Sequence, residues 1–313
     1  MVLIRVRFTR FWHGFNQHEN FLLQILQDSG YDFKVVENKN ADCDIEFVSV
    51  YATKYEKLFQ VISIIKHRLF GSFQDIEAKY NNLNLPKTKN AKRRIWVTGE
   101  NLRPPFSHGF DGYLSFDQNL LANNAYLPVW YFDAGFFGKH FVQRVGVTTS
   151  IQSLLEKRSI SKVPPKFACM FAGNPHSVRL QFAEILEKEE VVEKFGEAFG
   201  NRVKHKFPLG SEFKFTISFE NDSYPGYVTE KLLEAYLCGS IPIYWGDLGH
   251  LSPINRNAIL MKKQDQSLED FAKEVINLSE SEILEKLNQP FLTFIPTTSE
   301  IKKVIFGDLI LSN

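Results

Sequence analysis

The chain has 313 residues, of which 44% are hydrophobic and 23% charged, and its formal net charge is +1. That length holds two domains with cores of their own, and those fractions exclude a disordered chain. A charge so near zero argues against nucleic acid or an anionic membrane surface as a bulk partner.

Val2 to Phe8 alternates as a strand, and Trp12-His13-Gly14-Phe15 follows as a loop at its C-terminal end. Phe21, Leu22, Ile25 and Leu26 form a helical stripe within Asn20–Ser29, stopped at Gly30, and strands follow at Phe33–Glu37 and Asp44–Val50. Asp42-Cys43-Asp44 has the form of a D-x-D metal motif. It stands at the start of an apolar strand, however, where a turn and strand cap are expected rather than a ligand. A helix is expected around Leu58–Leu69, then a polar connector whose basic run, Lys87 to Arg94, is expected as a solvated loop. Arg94–Val97 reads as a strand ending at Thr98-Gly99-Glu100-Asn101, and Gly112–Asp117 as another. Residues 136–165, with a helical stretch at Ile151–Lys157, read as the crossing between domains.

The second half opens with the strand Lys166–Phe171, the loop Ala172-Gly173-Asn174-Pro175-His176 and a helix over Ser177–Glu190. Arg202, Lys204, His205 and Lys206 form a basic patch, expected mainly at the surface, with a place flanking a bound ligand the alternative. Phe213, Phe215, Ile217 and Phe219 alternate with Lys214, Thr216 and Ser218, the period of a strand packed mainly on one face. Glu220 and Asn221 end it, a turn-rich loop follows, and from about Tyr227 the spacing becomes helical as far as Gly239. Ile241–Trp245 begins the next strand, completing a βαβ unit. A short strand at Ile259–Leu260, helices at Leu268–Leu278 and Glu280–Leu287, and a closing segment from Ser299 to Leu311 complete the chain.

Polar residues of that βαβ unit collect where strand meets helix, the edge at which open parallel sheets bind ligands. Lys231 falls in the first helical turn, where a cation is disfavoured by the macrodipole unless an anion is present. A phosphate would reverse that sign, and the alternative is neutralisation by Glu230 or Glu234. Arg179 repeats the pattern in the first turn of the Ser177 helix, so two cationic helix starts describe a diphosphate cradle.

Phe219-Glu220-Asn221, followed after a short loop by Tyr227-Val228-Thr229-Glu230-Lys231 and then by Gly239, Pro242 and Gly246, resembles the signature of the α1,3/4-fucosyltransferases, glycosyltransferase family 10. The resemblance runs from Val2 to about Leu260 and is densest over Lys166–Gly246. It implies the α/β GT-B architecture, two Rossmann-like domains facing across a cleft. Residues 1–150 would form an acceptor-binding domain and residues 151–313 a GDP-fucose-binding domain, with the last helix packing back across the joint.

By the same resemblance Glu100 is the general base, a carboxylate suited to take the proton of a sugar hydroxyl as its oxygen attacks the anomeric carbon. Arg179 and Lys231 would hold the diphosphate, Asn174 would line the loop before them, and Glu220 and Asn221 would flank them at the strand end. Tyr227 and Glu230 would reach the ribose or fucose, and Trp12 would face the acceptor. Two departures stand out: Gly173 occupies the place of a family serine, and no arginine precedes Pro128.

The implied reaction is inverting transfer of L-fucose from GDP-fucose to the 3-hydroxyl of GlcNAc in Galβ1,4GlcNAc, or of glucose in lactose, making Lewis-type glycans. No metal cofactor is implied, and stimulation by Mn²⁺ stays open. Two other readings also stay open: a GT-B enzyme for another nucleotide sugar, and a non-catalytic glycan- or nucleotide-binding protein of the same fold. Cys43, Cys169 and Cys238 provide neither a disulfide framework nor zinc spacing, which suits a reducing compartment. The N-terminus lacks the apolar run of a signal peptide, and no stretch reaches a membrane span of about 18 apolar residues. Animal members of the family carry a membrane anchor and disulfides. A bacterial, cytoplasmic protein is therefore expected, or the catalytic part of a longer one, with peripheral membrane association the alternative.

Overall fold

A computed structural model describes residues 2–12, 14–50, 90–104, 109–118, 123–173 and 177–307. The helix expected at Leu58–Leu69, Pro105 and Phe106 of the loop after Glu100, and Asn174 all lie outside the described residues. In chain order the elements are β1 (Leu3–Thr9), α1 (Phe21–Asp28), β2 (Asp32–Val35), β3 (Cys43–Val48), β4 (Ala91–Val97), β5 (Gly112–Ser115), β6 (Asn124–Tyr126), β7 (His140–Val142) and β8 (Val147–Thr149). There follow β9 (Lys166–Phe171), α2 (Ser177–Leu186), β10 (Val192–Phe195), β11 (Phe213–Ile217), α3 (Glu230–Leu237), β12 (Ile241–Tyr244), β13 (Leu260–Met261), α4 (Leu268–Ile276), α5 (Glu280–Leu287) and α6 (Ser299–Phe306).

The chain divides into two compact units, residues 1–127 with 298–313, and residues 128–297. The first holds a parallel six-stranded sheet in the order β2-β1-β3-β4-β5-β6. α1 starts at an Asn20 cap whose side chain accepts from the Leu23 amide, and it buries the expected stripe of Phe21, Leu22, Ile25 and Leu26. α6 belongs to this unit: the Arg93 guanidinium donates to the Val304 carbonyl at 2.8 Å, and Phe306 packs against Tyr31 at 5.0 Å between ring centroids.

The basic run is not a loop throughout. Ala91–Arg94 belongs to β4, because Arg94 finds a buried carboxylate in Glu46 and Arg93 finds the end of α6. Asp44, at the start of β3, is engaged by Arg5 at 3.2 Å and Lys92 at 2.9 Å.

The second unit holds a parallel sheet in the order β10-β9-β11-β12-β13 and the antiparallel hairpin β7–β8. The hairpin lies in this unit, where Val142 and Val145 pack with Cys238 just past α3. Phe182 of α2 stacks on Phe271 of α4 at 5.3 Å and lies 4.9 Å from Phe219.

β11 departs from the one-faced strand expected. Phe213, Phe215, Thr216 and Ile217 are all buried, since a central parallel strand is covered on both sides. The polar face survives burial because its hydroxyls are satisfied: Thr216 Oγ1 lies 2.6 Å from Ser240 Oγ, which donates to the Ala235 carbonyl. α3 ends at Gly239 with φ 90°, where the Gly239 amide donates to the Tyr236 carbonyl.

Candidate functional site

In the second unit the strand order reverses between β9 and β11, and ligands of such sheets sit at the carboxyl ends of the strands beside that reversal. The loop after β9 leads into α2, and Ser218 to Asn221 continue β11 past its last paired residue. Arg179, in the first turn of α2, lies there with only 4% of its surface exposed. Its Nη2 donates to the Phe219 carbonyl at 2.5 Å and to Asn221 Oδ1 at 3.3 Å, both neutral acceptors. Its buried Nε has no hydrogen-bond partner. Burial depresses the guanidinium pKa, partly offset by the charges of Glu220 and Glu230. That donor could donate to an anion brought to the strand ends.

Lys231 stands opposite, at the start of α3. Thr229 caps that helix, and Lys231 Nζ donates to Thr229 Oγ1 at 2.9 Å and to Glu220 Oε2 at 3.3 Å. Its second carboxylate neighbour is Glu230, at 3.9 Å. Burial opposes the ammonium charge, but Glu220 and Glu230 together outweigh it and raise the pKa. The neutralising residues are thus Glu220 and Glu230; Glu234, the other candidate, turns to Arg144 and Lys206 instead.

Glu220 is fully buried and accepts from the Thr229 amide at 2.8 Å and the Thr229 hydroxyl at 2.7 Å. Burial raises its pKa against the pull of Lys231. With both oxygens committed, Glu220 orients Thr229 and Lys231 rather than presenting itself to a ligand. Gly246 makes room for it: a Cβ there would lie 2.5 Å from Tyr244 Oη and 3.1 Å from Glu220 Cγ. Glu230 is held at a pKa of about 2: burial pushes it up, but Lys231, Arg144 and Lys206 pull it further down. Tyr227 is buried, and Asn221 is exposed at the rim.

Arg179 and Lys231 line one cavity of about 20 Å³ together with Lys206, Phe171, Ser218 and Cys238. By that measure it holds about one water molecule. Lys206 is the one residue of the basic patch that lines it. Its neighbours Arg202 and Lys204 are exposed, as a surface patch should be. Lys206 turns inward: the Arg144 carbonyl accepts its amide at 3.1 Å, Glu234 Oε2 accepts from its ammonium, and that ammonium lies 5.4 Å from the Phe171 ring centroid. No local pattern marks it, because the groups that hold it lie on other elements.

The two remaining candidates belong to the first unit. Glu100 follows β4, half-buried, in a turn closed by Thr98: Thr98 Oγ1 donates to the Glu100 carbonyl at 2.9 Å and accepts the Glu100 amide at 3.2 Å. Trp12 is half-buried at the end of β1, edge-on to Phe15 at 4.8 Å within a cluster that includes Phe8 and Phe11. Among the described residues no group of three or more His, Cys, Asp and Glu is placed to hold a metal ion.

Residues 165–284 match the model of glycosyltransferase family 10 (fucosyltransferase), C-terminal part. The stretch Phe219–Lys231 and both cationic helix starts fall inside that match. The chain is 32% identical over 188 residues to the alpha-(1,3)-fucosyltransferase FucT of Helicobacter pylori, a stretch covering 50% of this chain and 38% of that protein. It is 40% identical over 85 residues to the human 4-galactosyl-N-acetylglucosaminide 3-alpha-L-fucosyltransferase 9, covering 26% of this chain and 24% of that one. The matches therefore span well under two thirds of these relatives' own length. Crystal structures of an alpha1,3-fucosyltransferase superpose with a TM-score of 0.65 at 19% identity, over 100% of this chain and 92% of theirs. One with GDP-fucose gives 0.64 at 20% identity over the same shares. At such identity the likeness establishes the fold: α/β, with two parallel sheets in two units, as the GT-B class requires.

Proposed function

We propose that the chain is a GDP-fucose-dependent α1,3-fucosyltransferase acting by a single inverting displacement. The observation that carries this is Arg179, buried, without a carboxylate partner among the described residues, and facing a cavity shared with Lys206 and Lys231. The cavity is only water-sized, so a diphosphate would lie at its mouth, where the three cations that line it could take up the negative charge that grows as the glycosyl bond breaks. Asn221 at the rim, with Glu230 and Tyr227 beside α3, is the polar equipment for the sugar or ribose. Asn174 is assigned to the same loop on family resemblance.

Glu100 accepts the proton of the attacking hydroxyl, the C1–O bond of fucose to GDP breaks as the new C1–O bond forms, and the cations take up the charge of the leaving GDP. The acceptor is the 3-hydroxyl of GlcNAc in Galβ1,4GlcNAc, or of glucose in lactose, with Trp12 as a stacking surface for it. Names of the H. pylori and mammalian relatives support the 3-linkage and the fucosyl group.

Incubation with GDP-fucose, excess EDTA and N-acetyllactosamine tests the proposal, with products followed by mass and NMR. The expected product carries α-fucose on O3 of GlcNAc. Absence of product with either acceptor, with or without Mn²⁺, while GDP still binds would leave a donor site whose chemistry has to be assigned anew. Glu100→Gln is expected to lower kcat by about 10²–10⁴-fold with GDP affinity unchanged. An unaltered rate in that variant would remove Glu100 from the mechanism.

A further inference from the structure

We propose that Glu234 is a positioning residue of the donor site, holding Lys206 at the cavity while Arg144 cancels the charge this brings. The inference rests on the donor-site reading above and gives its third cation a mechanism. Glu234 lies on α3 and is 2% exposed, yet both its oxygens are engaged: Oε1 accepts from Arg144 Nε and Oε2 from Lys206 Nζ. Arg144 reaches on to Asp133 Oδ2 at 2.6 Å. Burial works against the Arg144 charge, but Glu234 and Asp133 outweigh it and hold its pKa above the ordinary value.

The main chain around Lys206 is fixed separately. The turn of the β7–β8 hairpin accepts the Lys206 amide through Arg144 O at 3.1 Å and the Phe207 amide through Val145 O at 2.9 Å. His205 Nδ1 meets the Gln143 carbonyl at 2.9 Å. Those bonds place the lysine's backbone and leave its side chain free. With 24% of the side chain exposed, a strongly hydrated ammonium on a four-carbon stem would turn to water. Glu234 removes that choice.

A carboxylate close to a diphosphate would ordinarily repel it. Here Asp133, Arg144, Glu234 and Lys206 form a row of two anions and two cations, so the carboxylate directs the lysine without adding net negative charge. Replacing Glu234 by glutamine takes the shared counter-ion from two neighbouring cations, and Lys206 swings out.

The test is GDP binding by titration calorimetry on the full chain, comparing wild type, Glu234→Gln, Glu234→Asp, Lys206→Ala and the Lys206→Ala/Glu234→Gln pair, with melting curves to establish folding. Glu234→Gln is expected to weaken GDP about five- to tenfold, the cost of ordering one long side chain anew. KM for GDP-fucose rises with it, and kcat at saturation falls as well, because Lys206 is one of the cations that take up the leaving group's charge. Added to Lys206→Ala, the same change is expected to have no further effect, because a positioning residue has nothing left to position. Glu234→Asp, shorter but charged, recovers part of the loss, and it serves as the test variant should Glu234→Gln not fold. An equal loss with and without Lys206, or an unchanged affinity, would overturn the inference while leaving the donor site standing. A wild type that does not bind GDP overturns both.

Discussion

Buried charge occurs in both units and serves different ends. On the first sheet, Arg7, Glu46 and Arg94 are register neighbours across β1, β3 and β4. Each guanidinium meets its own oxygen of Glu46 at 3.1 Å, and Thr9 Oγ1 adds a bond at 2.8 Å. Two residues earlier, Arg5, Asp44 and Lys92 repeat the pattern nearer solvent. Every carboxylate there is flanked by cations, in mid-strand or at the strand's start, and the charges hold neighbouring strands in register. In the second unit the cations stand past the strand ends and line a cavity, and Arg179, 4% exposed, donates to neutral oxygens of Phe219 and Asn221. The first arrangement ties strands together within the sheet, while the second gathers positive charge at the carboxyl edge, where open parallel sheets bind ligands.

The sharpest way to break this contrast is a double dissociation. Glu46→Gln leaves two buried guanidinium groups without their anion, so a loss of about 3–5 kcal/mol in stability is expected. Urea denaturation reads it, and the GDP dissociation constant of the folded fraction should not move. Arg179→Ala should do the reverse. GDP affinity is expected to fall by about 100-fold, in the range for truncating one partner of a buried charge-assisted contact. Stability should change by no more than about 1–3 kcal/mol, the cost of the stranded Phe219 carbonyl. If Arg179→Ala unfolds the chain and Glu46→Gln abolishes GDP binding, the two networks have been assigned the wrong way round.

A smaller effect sharpens the structural side. Although burial pushes the Asp44 carboxyl up, bonds from Arg5 and Lys92 win and hold it at about 2, below its unfolded value of 3.8. A depressed carboxylate contributes stability that is present above the unfolded pKa and is lost as pH falls through the folded one. The gap in urea midpoint between wild type and Asp44→Asn should therefore be full at pH 7 and close between about pH 4 and 2. A gap independent of pH would mean that Asp44 contributes shape and not charge. Smallest of all is Arg202→Ala. That side chain is 82% exposed, pairs only loosely with Glu197 at 3.4 Å, and should move neither stability nor GDP affinity measurably.

Much of the second unit was legible in the chain itself. Period-2 and helical spacing placed β9, β11, α3, β12 and α5 to within a few residues, because their apolar stripes are local properties. The anomaly of a cation in a helical first turn likewise needs only sequence to be seen, and both Arg179 and Lys231 line the cavity. Tertiary structure decided the rest. Whether Lys231 was spoken for depended on Glu220, eleven residues away and on another element. The place of Lys206 depended on Glu234 of another element and on a hairpin whose strands, three residues each, are too short to carry a pattern. Arg94 looked like part of a solvated run until Glu46, from a strand 48 positions earlier, proved to be its partner. Hydrophobic periodicity and turn chemistry are written along the chain within a few residues of one another. The pairing of buried charges is a long-range choice, and only the packed sheet brings its partners together.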